Sequence, residues 1–116
     1  MQEFEFQIPR TAQLTNVDSA IESTCIAEGL GIGMKGSLTS FPGSTHWHFK
    51  KPGERGTLEI TSFPSDRRIW AKVQSGRRAD WIEPCLIKIK AKLEKALKKS
   101  TNESFYKVAQ QNKKRA

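Results

Sequence analysis

Apolar and polar positions change period several times along the chain, and each change marks an element. Phe4, Phe6 and Ile8 alternate with charged or polar neighbours, which predicts a half-buried strand closed by Pro9. Thr15-Asn16-Val17-Asp18 then offers a helix cap with an acid in the first turn, where it favours the positive end of the helix dipole. Val17, Ala20, Ile21, Thr24 and Cys25 recur at helical spacing and Gly29 is a natural terminator, so a helix is expected over 16–28.

Four strand-like runs follow: Met34 to Phe41, Thr45 to Lys50, Thr57 to Phe63 and Arg67 to Gln74. They are closed in turn by Pro42-Gly43, Lys51-Pro52-Gly53, Pro64-Ser65-Asp66 and Ser75-Gly76. Connections this short make antiparallel neighbours. The last helix has the clearest pattern. Asp80 and Glu83 form a capping-box-like start, and Ile82, Leu86, Ile89, Leu93 and Ala96 or Leu97 make one apolar stripe over 81 to about 98. Ser100-Thr101-Asn102 is expected to interrupt it, leaving 100–116 as a basic tail, either mobile or a short helix.

The expected architecture is one α+β domain over 1–99 in the order β-α-β-β-β-β-α, an antiparallel sheet with two helices packed on one face. Alternation sorts the strand residues between the two faces. Trp47, Phe49, Leu58, Ile60, Ile69, Ala71 and Val73 should meet the helices. His46, His48, Lys50, Thr57, Glu59, Thr61, Arg68, Trp70 and Lys72 should meet water. Trp70, between two cations, is then an exposed stacking platform, a residue packed cross-strand against His46 or His48, or one turned inward by a bulge.

Charge sharpens this picture. The chain of 116 residues has 20 Lys and Arg against 12 Asp and Glu, a net charge of +8. Residues 1–85 balance, ten against ten, so the whole excess falls in the last helix and tail, where ten bases face only Glu94 and Glu103. Such asymmetry suits a polyanionic partner, and it equally suits a solubilising lysine face. A nucleic-acid interface would use Arg68, Trp70, Lys72, His46, His48 and Lys50 on the open sheet face. Arg77 and Arg78 at the strand end extend it, and Lys88, Lys92, Lys95 and Lys99 on the helix supply attraction independent of sequence.

Other chemistry is thinner. Gly31-x-Gly33-x-x-Gly36 matches the dinucleotide fingerprint formally, but a helix precedes it and strand sequence follows, the reverse of what pyrophosphate binding needs. A bulged strand start is the expected use of these glycines. Cys25 and Cys85 read as reduced, buried thiols. His46 and His48 point the same way from one strand, with Glu59 the one plausible companion; the ligand count falls short, so no metal and no cofactor are expected. A His46 or His48 pair with Glu59 for acid–base work is conceivable, but no nucleophile or oxyanion site accompanies it, and no catalytic residues are assigned.

The element order is similar to a repeat of the TATA-binding protein, to helix-grip ligand carriers and to double-stranded RNA-binding domains. None of their motifs is present, and likeness of order does not set function. With no apolar run long enough for a span and no secretory start, a cytoplasmic location is expected. Three functions compete: nucleic-acid binding, self-association or binding of an acidic protein, and a small-ligand carrier with a pocket lined by Trp47, Phe49, Trp81 and Leu86.

Overall fold

A computed structural model describes the backbone of residues 1–115 and the side chains of residues 1–100. The elements run β1 (Gln2–Glu5), α1 (Val17–Ala27), β2 (Gly31–Gly36), β3 (Thr45–Lys50), β4 (Leu58–Phe63), β5 (Arg68–Val73) and α2 (Ile82–Arg115). The five strands form one antiparallel sheet in the order β1-β5-β4-β3-β2. This is the α+β order expected from alternation.

Both helices lie on the face carrying Trp47, Phe49, Leu58, Ile60, Ile69, Ala71 and Val73. Val17, Ile21 and Cys25 of α1 join Ile82, Leu86, Ile89, Leu93 and Leu97 of α2 in a single buried cluster with those residues. The α2 stripe thus buries at steps of three and four, as its sequence requires. α1 is also keyed to the sheet by polar bonds. Thr45 and Ser62 are register partners on neighbouring strands. Both hydroxyls donate to Asp18, at 2.6 and 2.5 Å.

Three elements differ from the sequence reading by more than a residue at an end. β1 ends at Glu5, and Phe6 and Ile8 leave the strand, although Phe6 still donates its N–H to the Ile69 carbonyl at 2.9 Å. β2 starts at Gly31 and stops at Gly36, three residues earlier than expected at its start and five at its end. The glycines are therefore inside the strand, with a bulge between Ile32 and Met34. A Cβ on Gly33 would lie 2.9 Å from Lys50 Cγ, which explains why the bulged position is glycine. The third difference is in α2, whose backbone is helical across Ser100-Thr101-Asn102. The mobility of the tail and the placement of its side chains lie outside the described residues.

Shortening β2 frees residues 37–44 to fold over the second sheet face, and this changes the fate of Trp70. Its alternation is as expected, but Phe41 covers the indole edge-on at 5.2 Å between centroids, and the Arg68 guanidinium lies 4.4 Å from the ring centre. Trp70 is only 4% exposed. Trp70 is therefore not an exposed platform, and it is Phe41 and Arg68 that lie against its ring.

Cys25 and Cys85 are free thiols, the first buried and the second half-buried. Burial pushes the Cys25 thiol up to about 12. Among the described residues no helix is long and apolar enough to cross a membrane.

Candidate functional site

β3 delivers His46, His48 and Lys50 to the second face by its two-residue period. The turn after it is held firmly. Gly53 and Gly56 take φ of 77° and 102°, a region open to glycine at little cost. At Gly56 the chain also runs too close for a side chain, since a Cβ would lie 2.6 Å from Ala79 Cβ. Trp81 donates its indole N–H to the Arg55 carbonyl at 2.7 Å, and Thr57 donates its backbone N–H to the Arg77 carbonyl at 3.0 Å. The turn at 51–57 and the segment at 75–82 are thereby clamped together.

Between them and the β2 bulge lies a cavity of about 460 Å³. Lys50, Arg55, Arg77 and Arg78 line it together with His48 and Thr57, and none of its lining residues is acidic. Gly33, Gly56 and Gly76 complete the wall and leave backbone accessible. Lys50 Nζ donates to Thr57 Oγ1 at 3.0 Å, which fixes one cation at the edge.

Behind this cavity sit three titratable groups from adjacent strands. His48 and Glu59 are direct register partners, as are His46 and Thr61. Glu59 Oε1 lies 3.3 Å from His46 Nε2 and 3.9 Å from His48 Nε2. His46 Nδ1 lies 2.7 Å from Thr61 Oγ1. Desolvation holds the His46 imidazole below its ordinary value, against the opposing pull of the Glu59 carboxylate, so the ring is neutral near pH 7. Arg77 bridges cavity and cluster: its Nη1 is 3.9 Å from Glu59 Oε2 and donates to His48 Nδ1 at 3.3 Å.

The residues expected to form one interface divide into three groups. His48, Lys50, Arg77 and Arg78 converge on the cavity and His46 lies beside it. Arg68, Trp70 and Lys72 do not line it. Arg68 pairs with Glu5 and stacks on Trp70, while Lys72 is half-buried between register partners Glu3 and Glu59. Arg67, at the other end of β5, donates to the carbonyls of Pro9 and Ala12, both at 2.9 Å. Lys88, Lys92, Lys95 and Lys99 ride on α2, across the sheet from the histidines, and Lys92 is paired with Glu28 at 2.6 Å.

With Trp70 enclosed by its own chain, a self-association contact built on it loses its apolar surface. Among the described residues the ligand-carrier pocket does not have the lining expected of it, because Trp47 and Phe49 are fully buried core residues. Of its four lining residues, Leu86 faces a groove of about 600 Å³ between β1, β5 and the start of α2. Arg55 and Thr57 were not anticipated in the site. The turn cluster Lys51-Pro52-Gly53-Glu54-Arg55-Gly56 carried a signal for Arg55, since a cation between two glycine turns is presented rather than buried.

Comparison with protein-family models, with curated proteins and with solved structures returned no match.

Proposed function

We propose that this domain binds nucleic acid by gripping the phosphodiester backbone in the cavity lined by Lys50, Arg55, Arg77 and Arg78. The observation that carries the reading is the convergence of four cations, from β3, its following turn and the segment after β5, on one cavity without a lining carboxylate. Guanidinium groups suit phosphate because their planar fork donates two parallel hydrogen bonds. Glycine walls add close backbone approach. Trp81, which lines an adjoining cavity with Arg55 and Arg78, takes the place that Trp70 had in the sequence reading as the aromatic neighbour of the cations.

The test is fluorescence polarisation of a labelled single strand and a labelled duplex across a salt series. Wild-type affinity is expected to fall linearly on a log–log plot of salt. The double variant Arg77→Ala/Arg78→Ala is expected to lose at least about tenfold and to flatten the slope by about one per phosphate contact removed. Binding that ignores salt, or no binding to either form, would refute the reading.

A further inference from the structure

We propose that His46, His48 and Glu59 form a binding site for a divalent transition-metal ion, which adjoins the cationic cavity through His48 and Arg77 but does not rest on the phosphate reading. Their ligand atoms all lie within 4.8 Å of one another. Nitrogen and oxygen ligands on an ion at about 2.0–2.2 Å stand roughly 3 to 3.5 Å apart, so only small side-chain rotations separate the present positions from coordination. The sequence reading named Glu59 as the one plausible companion of the two histidines, and the β3–β4 register sets it directly opposite His48. All three residues stand on paired strands at the middle of the sheet, where the backbone is most firmly held.

Three further features support the assignment. Two imidazoles and one carboxylate are a donor set suited to zinc, iron, cobalt or nickel, and they leave coordination positions open. His46 and Glu59 are buried, whereas His48 is partly exposed and lines the cationic cavity, which gives the ion a route in. Thr61 Oγ1 is the outer partner that a ligating histidine requires on its second nitrogen. A hydroxyl can accept from Nδ1–H, which leaves the Nε2 lone pair for the ion. It can equally donate to Nδ1 when Nε2 carries the proton, so Thr61 serves the site in both states.

Arg77 acts in the opposite sense. A guanidinium only donates, so its contact with Nδ1 of His48 keeps a neutral ring protonated on Nε2, the nitrogen nearest Glu59. Metal binding therefore requires the His48 proton to shift to Nδ1 and Arg77 to swing away. The arginine side chain, 48% exposed, is free enough to do so. Lys72, register partner of Glu59, adds a second cation that weakens the ion's attraction to the carboxylate.

The experiment is titration of the full chain with Co2+ followed by visible absorption, and with Zn2+ followed by calorimetry. One equivalent is expected, with a Co2+ ligand-field band abolished by His48→Ala, a partly exposed position whose variant can be checked for folding by circular dichroism. Thr61→Val should weaken Zn2+ binding about 10–100-fold. Arg77→Met should tighten it several-fold, while the same variant loses nucleic acid if the phosphate reading holds. The two effects have opposite signs and so fail separately. No uptake by folded wild-type protein, or uptake that survives His48→Ala unchanged, would overturn the site.

Discussion

At the level of single residues, Trp70 separates the direction of a side chain from its exposure. It points away from both helices, yet Phe41 lies across it, Phe63 packs edge-on against Phe41 at 5.4 Å, and Arg68 lies over the ring while paired to Glu5. The result is a small second core on the face that would otherwise be open. Removing a buried indole leaves a cavity that its surroundings fill only in part. Trp70→Ala is therefore expected to cost about 3–5 kcal/mol, and Trp70→Phe under about 2 kcal/mol, in urea unfolding monitored by far-UV circular dichroism. Nucleic-acid affinity of the folded Trp70→Phe protein should be unchanged. A loss of affinity without a loss of stability would return Trp70 to the interface.

At the level of elements, what the sequence disclosed depended on how local each signal was. β3 was legible to the residue, because Trp47 and Phe49 alternate with polar neighbours between two turn clusters. β2 was not. Its glycine-rich sequence has poor strand propensity, and it pairs only because β3 offers a complete edge beside it. Reading the strand as Met34–Phe41 used up Phe41, and the cover over Trp70 was lost with it. The helix seats were equally invisible, since no local pattern says that Glu22 accepts from Trp47 Nε1 and Lys35 Nζ, or that Glu28 meets Lys92. These seats have a consequence for acid stability. The Lys35 ammonium holds Glu22 below its ordinary value, and Lys92 does the same for Glu28. Burial raises Glu94, but the bonds from the Gln7 N–H and Lys90 outweigh it and leave it lowered. In the unfolded chain these carboxyls take up protons at higher pH than in the fold. The stability they contribute is thus complete above the ordinary carboxylate range and lost as pH falls through the lower folded values. Thermal midpoints should be flat near neutrality and drop below about pH 5, and Glu22→Gln should make that drop shallower. A midpoint that rises on acidification would contradict the assignment.

At the level of the whole molecule, the sheet divides the positive charge. The excess of +8 is confined in sequence to α2 and the tail, which drew attention to the helix lysines. Among the described residues, an acid-free basic cavity lies elsewhere, built from residues of the half whose net charge is zero. A count of charges cannot reveal this, because it is blind to placement: acids of that half such as Glu5 and Glu22 pair with Arg68 and Lys35 away from the cavity. Distance decides how the two basic regions act. A helix layer sits about 10 Å from a sheet, and the Debye length is also about 10 Å at 0.1 M salt. Lysines on α2 therefore reach a phosphate in the cavity only through a field that physiological salt largely screens. Replacing Lys88, Lys95 and Lys99 by Gln leaves the Lys92–Glu28 pair intact. This triple variant should weaken nucleic-acid binding in dilute buffer, mainly through the association rate, and change it by less than about twofold at 0.15 M salt. The Arg77→Ala/Arg78→Ala protein should lose affinity at both salt concentrations, because its contacts are direct. Stopped-flow association and equilibrium polarisation on the same two variants separate these outcomes. If the triple variant loses more at 0.15 M than the arginine variant, the phosphate backbone lies along the helix and the cavity is not its seat.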